Sequence, residues 1–249
     1  MSNAALSIKS LRKMYNGIPA VDGLDLEVAE GEVFGLLGHN GAGKSTAIEC
    51  MLGIRRPDAG TVTLLGLNPA ADRKTLFAKV GVQFQDSHYP EKIKVGEMCE
   101  LTHALYPDPA DWQELLDVFG LAPMRGRLVS QLSGGERQKL SVLLALMPNP
   151  RLVFLDELTT GLDPKARREI WSRLQALKSE GLTIVLTSHY MDEVETLCDR
   201  ICLLKQGRPL ITGTVQTVIG SSPHQELEEA YLWFMGEEGE RHERVEDPA

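Results

Sequence analysis

Gly38-His-Asn-Gly-Ala-Gly-Lys-Ser45 is the segment from which the architecture of this chain can be read. It fits the pattern G-x-x-x-x-G-K-[ST], whose glycines allow backbone N–H groups to come close to phosphate oxygens. Before it, Val33–Leu37 is a short apolar run typical of a buried strand, and residues 45–52 have the pattern of a helix. The order of strand, glycine loop and helix predicts a phosphate-binding loop in an α/β fold.

Each part of this loop has a predicted role. The amino end of the following helix offers unsatisfied N–H groups and a positive partial charge. Lys44 would add a full charge at the β- and γ-phosphates, and the Ser45 hydroxyl is placed to coordinate Mg²⁺. Taken alone, the stretch could instead be a glycine-rich turn with a solvated lysine. The candidate nucleotide-binding residues here are Gly38, His39, Asn40, Gly41, Ala42, Gly43, Lys44, Ser45 and Thr46.

A second candidate element is Leu152-Val-Phe-Leu-Asp-Glu157, an apolar run that ends in two carboxylates. A strand here would place Asp156 and Glu157 at the carboxyl edge of the sheet, where α/β folds bind ligands. Asp156 fits a Mg²⁺-binding position, and Glu157 would reach the water that attacks the γ-phosphate. An isolated Asp-Glu pair could also be an exposed turn. Together with a phosphate loop, the pair favours catalysis.

The segment Leu132-Ser-Gly-Gly-Glu-Arg-Gln138 combines glycines with the start of a predicted helix. Backbone N–H groups and a serine hydroxyl at a helix amino end can bind an anion, so the segment predicts a second phosphate site. By itself it would more simply be a helix cap.

The composition limits the classes of function. With 43% hydrophobic and 24% charged residues, the chain has ordinary globular composition, and it contains no apolar run near the roughly 18 residues that span a bilayer. Residues 1–8 do not resemble a secretory signal, so we expect a cytoplasmic protein. A net charge of −9 argues against a nucleic-acid partner. The four cysteines lack metal-ligand spacing, which predicts buried free thiols.

The pattern of elements changes along the chain. Short alternating segments from Leu6 to Leu37, extended by 61–65, predict an antiparallel strand layer. Helical spacing follows at 95–106, 111–119 and 135–147, which predicts a helical insert. Strands at 152–155, 183–187 and 200–205, with helices at 164–180 and 191–198 between them, predict a parallel α/β sheet. Residues 225–235 could form an amphipathic helix, and an acidic, disordered tail is expected from 236 to 249.

At this point the chain resembles the nucleotide-binding subunit of an ABC transporter, whose signature motif is LSGGQ or close to it. The resemblance runs from about residue 6 to about residue 217. It implies a P-loop NTPase core with a parallel sheet, an N-terminal antiparallel β layer and an inserted α-helical subdomain. The implied ATPase domain covers 4–220, with the helical subdomain at about 86–147, and 221–249 form a C-terminal helix and tail. ATP and Mg²⁺ are the implied cofactors.

The resemblance also implies roles for single residues. Tyr15 matches the aromatic residue that stacks on adenine, and Gln85 matches the glutamine that contacts Mg²⁺ and the attacking water and lies where the membrane partner docks; Gln83 is the weaker candidate for this position. Asp163 matches the residue that passes between two subunits, and His189 matches the histidine that binds the γ-phosphate. The candidate signature residues are Ser133, Gly134, Gly135 and Glu136.

In this family the signature of one subunit closes over the phosphate loop of its partner. The resemblance therefore implies a homodimer, or a heterodimer with a second ABC ATPase subunit, bound to a polytopic membrane (permease) subunit on the cytoplasmic face of the cell membrane. Residues 187–200 resemble the drug, antibiotic and lipid exporter branch, which predicts an exporter. A soluble ABC ATPase acting on ribosomes or nucleic acid, and a non-hydrolysing regulatory module, are the alternatives.

Three residues depart from the common family pattern. Glu136 replaces the last glutamine of LSGGQ, Leu158 replaces a proline after the Asp-Glu pair, and Pro148 replaces a glycine before the strand. None of these changes removes a catalytic group, so we expect an active ATPase.

Overall fold

The structure is a computed structural model, and it describes residues 4–85 and 88–236. Within these ranges the strands are β1 (Ala4–Tyr15), β2 (Ile18–Ala29), β3 (Val33–Leu37), β4 (Ala59–Leu64), β5 (Val80–Gln83), β6 (Leu152–Asp156), β7 (Thr183–Thr187), β8 (Arg200–Lys205) and β9 (Arg208–Thr214). The helices are α1 (Lys44–Met51), α2 (Arg73–Phe77), α3 (Val95–His103), α4 (Trp112–Val118), α5 (Gly134–Leu146), α6 (Pro164–Ser179), α7 (Met191–Leu197), α8 (Val215–Gly220) and α9 (Leu227–Met235). Single 3₁₀ turns lie at Ala122–Met124 and Val129–Gln131.

The larger sheet of the described residues has the strand order β5-β6-β7-β3-β8-β9. β5, β6, β7, β3 and β8 run parallel, whereas β9 pairs antiparallel with β8. β3 pairs on both sides, with β7 and with β8. The predicted parallel sheet is thus confirmed, and β9 adds an antiparallel strand at one edge.

Alternate residues of the central strands face two different hydrophobic clusters. Val33 and Leu37 of β3 pack with side chains of the helices, while Phe34 and Leu36 pack with α1 and the antiparallel strands. β6 follows the same rule, with Val153 and Leu155 in the first cluster. Both faces of these strands are covered, which explains why their sequences are continuous apolar runs.

A second sheet consists of β1, flanked by β2 and β4 in antiparallel register. This is the predicted N-terminal layer, with one correction to its extent. Residues 33–37 were included in the predicted layer, but they form β3 and lie in the parallel sheet. All five residues of β3 are buried, so a position covered on both faces suits them better than a layer with one exposed face.

The predicted helical insert corresponds to α3, α4 and α5, which contact one another. Their observed ends lie within three residues of the predicted ones. Near the C-terminus, α9 packs against α7 and α8, and its Leu227, Ala230 and Met235 are buried. The predicted acidic tail falls, from residue 237 onward, outside the described residues.

Sequence patterns missed the strands β5 and β9 and the short helices α2 and α8. β9 has a clear physical signal, because its residues alternate between exposed and half-buried after a turn at Gly207, whose φ is +79°. The helices have only five and six residues, which is too short for a helical period to be recognised.

All four cysteines are buried with free thiols, as predicted. A helix with the length and apolar character required to cross a bilayer does not occur in the described residues.

Gly81 of β5 lies against the backbone of α5. A Cβ atom placed on Gly81 would lie 1.9 Å from the carbonyl oxygen of Ala145. Because that atom is backbone, no side-chain rotation can relieve the overlap, and α5 and β5 must separate. This glycine therefore sets the spacing between strand and helix.

Gly81→Ala is expected to lower the free energy of unfolding by about 1–3 kcal/mol, the usual cost of overpacking a core. Urea denaturation of the purified chain measures this change. Gly126→Ala is the matched control, since nothing lies within 4 Å of a Cβ at that position. Equal midpoints for the two variants would contradict the steric explanation.

Candidate functional site

The phosphate loop connects the carboxyl end of β3 to the first turn of α1, as predicted. Gly43 has φ +103°, and a Cβ there would lie 2.1 Å from the carbonyl oxygen of Ala20. Only glycine fits this position, because the left-handed backbone and the close approach of β2 both exclude a side chain. Ser45 is exposed and Thr46 half-buried in the first turn of α1.

Lys44 closes the loop on itself. Its side chain is 5% exposed, and its Nζ donates to the carbonyl oxygens of Gly38 at 2.6 Å and His39 at 3.3 Å. Burial lowers the pKa of Lys44, while the nearby charges of Glu157 and Asp156 raise it. A buried ammonium group held by carbonyl oxygens is ready to exchange these contacts for phosphate oxygens.

The remaining loop residues place polar groups outward. Asn40 and Gly41 are exposed, and the His39 ring binds the carbonyl oxygen of Asn40 through Nδ1 at 2.8 Å. Ala42 is buried, and its carbonyl oxygen accepts from the N–H of Gly207 at 2.9 Å. This backbone hydrogen bond therefore fixes the loop to the turn between β8 and β9.

Asp156 and Glu157 lie where predicted, at the carboxyl end of β6. Asp156 is buried, and its Oδ1 accepts from the hydroxyl of Thr187 at 2.5 Å. Burial raises the pKa of Asp156, and the Thr187 hydrogen bond lowers it. The negative charge of Glu157 raises this pKa further, whereas the positive charge of Lys44 lowers it. Lys44, where α1 begins, and Asp156, where β6 ends, are thus within electrostatic reach of each other.

Sequence reasoning missed Thr187, the last residue of β7. Its side chain is fully buried; besides donating to Asp156, its Oγ1 accepts from the backbone N–H of Glu157 at 3.0 Å. One hydroxyl therefore holds both members of the carboxylate pair. The available signal was its place at the end of a strand next to β6 in a parallel sheet.

The Glu157 carboxylate joins the other two candidate catalytic residues. Its Oε2 accepts from Gln85 Nε2 at 2.7 Å, and its Oε1 contacts His189 Nε2 at 2.5 Å. Glu157 itself has φ +51°, an uncommon conformation for a residue other than glycine. Such strained backbone is often found where a side chain must point in one direction for function.

The choice between the two glutamines is clear in the structure. Gln83 belongs to β5 and is buried, and its Nε2 donates to the carbonyl oxygens of Phe84 and Asp156. Gln85 lies beyond the strand, exposed, and reaches Glu157. The geometry therefore favours Gln85, as the sequence did.

The signature segment forms a helix cap, and its Ser133 is exposed. Ser133 caps α5: its Oγ accepts from the N–H of Glu136 at 3.2 Å, and its own N–H donates to Glu136 Oε2 at 2.8 Å. This reciprocal capping box uses the glutamate that replaces the family's glutamine. The backbone hydrogen bond from Ser133 holds the pKa of Glu136 below its usual value, so the carboxylate stays ionised.

Asp163 caps α6 in the same way, accepting from the N–H groups of Lys165 at 2.9 Å and Ala166 at 3.0 Å. The hydrogen bond from Ala166, and to a smaller extent that from Lys165, lowers the pKa of the Asp163 carboxyl group. The two caps face each other across a cleft of about 540 Å³. Residues of the phosphate loop do not line this cleft, whose lining is Ser133, Gly134, Gly135, Glu136, Lys139, Gly161, Leu162, Asp163, Lys165, Ala166 and Glu169.

Tyr15 ends β1 and pairs with Ile18, two residues before Ala20, which touches the phosphate loop. Its ring is 39% exposed and lies 5.6 Å from both Lys13 Nζ and Arg55 Cζ. The ring is therefore partly open to solvent, as a base-stacking residue requires.

The structure thus divides the predicted residues into two groups. One group gathers the phosphate loop, Asp156, Glu157, Gln85 and His189 at the carboxyl edge of the sheet. The other places the signature next to Asp163 in a separate cleft. A family model described as ABC transporter matches residues 21–160, which include the loop, the signature and the carboxylate pair. The chain belongs to the ABC transporter family.

Relatives and solved structures agree with this assignment. The daunorubicin/doxorubicin resistance ATP-binding protein DrrA of Streptomyces peucetius is 39% identical over 217 residues, which cover 84% of this chain and 65% of DrrA. The Nod factor export ATP-binding protein I of Mesorhizobium japonicum is 39% identical over 243 residues, covering 91% of this chain and 72% of the relative. The matched region is thus about two thirds to three quarters of the length of these relatives.

Among solved structures, the ATP-binding subunit of an ABC transporter superposes with a TM-score of 0.84 at 27% identity, covering 93% of this chain and 99% of the other. The cbiO1 protein of Clostridium perfringens, described as part of the ABC transporter complex cbiONQ, gives a TM-score of 0.75 at 25% identity and covers 93% and 99%. This chain is accordingly an ATP-binding ABC subunit of the ATPase class, with exporter proteins among its relatives.

Two departures from the family pattern lie in packed surroundings. Leu158 is 1% exposed and joins the larger hydrophobic cluster. Pro148 is buried and lines a groove beside β5. Neither residue contacts the catalytic carboxylates through a hydrogen bond, because their side chains carry no polar group.

Thr187→Val is expected to lower the free energy of unfolding by about 1–3 kcal/mol, because the buried Asp156 carboxylate loses its hydroxyl donor. Thr187→Ser keeps the hydroxyl and should retain most of the stability. Guanidinium denaturation of both variants measures the difference. If valine were tolerated as well as serine, the hydroxyl would not hold the carboxylate pair.

Proposed function

We propose that this chain binds Mg²⁺–ATP and hydrolyses it to drive export through a separate membrane subunit. The observation that supports this most directly is the Glu157 carboxylate, which contacts both Gln85 and His189 and lies within the electrostatic reach of Lys44. A carboxylate in this position can accept the proton of a water molecule while cations hold the phosphates.

In the proposed reaction, Lys44 and the backbone N–H groups of the loop bind the β- and γ-phosphates. Glu157 orients the attacking water and takes its proton, Gln85 contacts that water from the other side, and His189 binds the γ-phosphate through its ring nitrogen. Tyr15 stacks on adenine. Glu157 already contacts Gln85 and His189, so these three side chains need little rearrangement before the reaction.

The donor set suits Mg²⁺. This cation prefers hard oxygen ligands and keeps several waters. Asp156 offers one carboxylate oxygen that Thr187 does not occupy, and the Ser45 hydroxyl and the Gln85 amide oxygen are on exposed residues nearby in the fold. We propose that these three residues hold the ion, which would neutralise charge on the phosphates.

The separate signature cleft supports dimerisation as part of the mechanism. Ser133 and the first residues of α5 line a cleft together with Asp163, and residues of this chain's own phosphate loop do not line it. We propose that they bind the γ-phosphate held by a second subunit, either another copy or a related ABC ATPase. Contacts made only in the closed dimer give ATP a differential affinity for closure, and hydrolysis removes that difference.

A groove beside Gln85 is the proposed docking place of the membrane subunit. It has a volume of about 250 Å³ and lies between the end of α1, α2, β5 and α5; Ile54, Phe84 and Tyr106 are among its lining residues. A neighbouring cleft contains Leu105, which is 71% exposed. Exposed apolar side chains in this number indicate an interaction surface.

The domain division follows from the same arrangement. We propose that residues 4–220 form the ATPase domain, that the helical part at about 86–147 carries movement to the membrane subunit, and that 221–249 form a C-terminal appendage. The working location would be the cytoplasmic face of the membrane. The drug-resistance and Nod factor export relatives favour an exporter over a ribosome-acting ATPase.

Glu157→Gln is expected to lower ATP turnover by about 10²–10⁴-fold, because the amide cannot accept the proton of water. Binding of ATP should remain, and a closed dimer should accumulate in ATP and Mg²⁺. Turnover is measured by phosphate release and the dimer by analytical ultracentrifugation. Glu195→Gln, an exposed residue on α7, is the control. Near-normal hydrolysis in Glu157→Gln would reject the role given to Glu157.

Leu105→Asp is expected to reduce co-purification of a polytopic membrane protein by about tenfold or more, since a charge would enter an apolar contact. ATP turnover of the purified chain should stay unchanged. Affinity purification from solubilised membranes, followed by mass spectrometry, measures the effect. Leu210→Asp, which places the same charge on an exposed position of β9, is the control. Recovery of no polytopic membrane protein by the unaltered chain would contradict the proposed partner.

A further inference from the structure

Glu193 is a buried carboxylate that the reaction described above does not use. It lies on α7, four residues after His189, and is 1% exposed. Its Oε1 accepts from the indole Nε1 of Trp171 on α6 at 2.8 Å. A hydrogen bond between two buried side chains on different helices fixes their relative position, because losing either partner leaves the other unsatisfied.

The surroundings of Glu193 are suited to hold it. Burial raises its pKa, whereas the hydrogen bond from Trp171 and the charge of Arg167 lower it. Ser188 directly precedes His189; its Oγ accepts from the N–H of Tyr190 at 3.0 Å and donates to the carbonyl oxygen of Tyr190 at 3.4 Å. This turn leads directly into the first turn of α7, where Glu193 lies and is bonded to α6.

A second contact joins the same two helices. The guanidinium of Arg167 lies 4.0 Å from the centre of the Tyr190 ring, and its Nη1 is 3.5 Å from Asp192 Oδ2. Cation–π and ion-pair contacts of this kind favour a fixed ring position. Arg167 and Trp171 of α6 thus contact three residues that closely follow His189. Arg167 contacts residues 190 and 192, and Trp171 contacts residue 193.

Helix α6 begins at the cleft that contains the signature. Asp163 caps it there, and the N–H of Arg167 donates to the carbonyl oxygen of Asp163 at 3.1 Å. Arg167 and Trp171 occupy the next two turns of the same helix. One short rigid element therefore connects the proposed subunit interface with the histidine segment.

We propose that Glu193, held by Trp171, is a positioning residue that orients His189 toward Glu157 and makes that orientation depend on the placement of α6. This inference rests on the proposed catalytic function of His189 and Glu157. Glu193 acts through the first turn of α7 and the turn at Tyr190 that joins it to His189. When α6 shifts with Asp163 at the interface, the bond to Trp171 carries the shift to the histidine.

Two single variants test the positioning role. Glu193→Gln alters the carboxylate, and Trp171→Phe removes the indole donor while keeping an aromatic ring. Trp171→Phe is expected to lower kcat by about tenfold, as the loss of a buried hydrogen bond of ordinary strength would. Glu193→Gln is expected to lower kcat by a smaller factor, because its amide oxygen still accepts from the indole but without the negative charge that strengthens the bond. KM for ATP should remain unchanged, because neither residue contacts the phosphate loop. Glu195→Gln on the exposed side of α7 is the matched control and should retain wild-type kcat and KM.

The same variants in a His189→Ala background separate positioning from general stability. Single-turnover hydrolysis is measured on protein shown to be folded by circular dichroism. If Glu193 acts through His189, then Glu193→Gln and Trp171→Phe cause no further loss once His189 is replaced. A further tenfold loss in that background would overturn the inference, as would wild-type kcat in both single variants; should one variant fail to fold, the other decides.

The test also distinguishes the two levels of the proposal. Wild-type turnover in His189→Ala would reject the proposed catalytic arrangement itself. A large loss in His189→Ala together with additive losses from Glu193→Gln would leave that arrangement intact and reject only the positioning role.

Discussion

Parallel pairing of β3, β7 and β6 is the constraint on which the site depends. Because the strands run in one direction, their carboxyl ends meet at one edge, and the residues that follow them converge there. Lys44 comes from the loop after β3, Thr187 from the end of β7, and Asp156 from the end of β6. A positive and a negative charge are thereby buried within electrostatic reach of each other. Thr187 satisfies the carboxylate that would otherwise lack a protein donor.

The signature cleft is formed in a different way, because helix amino ends line it rather than strand ends. Ser133 and Asp163 cap α5 and α6, and both caps open into one cleft. Capping and ligand binding use the same unsatisfied N–H groups at a helix start, so the two interpretations of the signature do not compete. The Ser133 oxygen accepts one hydrogen bond, from the N–H of Glu136.

Most of the fold and the local motifs could be predicted from the sequence, because they rest on short-range patterns. β3, β6 and β7 are continuous apolar runs, and the loop at Gly38–Ser45 has fixed spacing. Thr187 and Glu193 could not be predicted in this way. Their importance comes from partners 31 and 22 residues away in the chain, which only strand order and helix packing bring together. A threonine that ends a strand and a glutamate on a helix have no distinctive local pattern.

The contact between Gly81 and Ala145 has a geometrical consequence for the signature helix. Ala145 lies near the carboxyl end of α5, and Ser133 caps the opposite end, about 18 Å away at the rise of an α-helix. The contact with the backbone of β5 fixes how far this end of the helix lies from the sheet. A rotation of about 10° would move the serine by about 3 Å, roughly the length of one hydrogen bond. A small change in the direction of α5 at Ala145 is thus enough to make or break a hydrogen bond at Ser133.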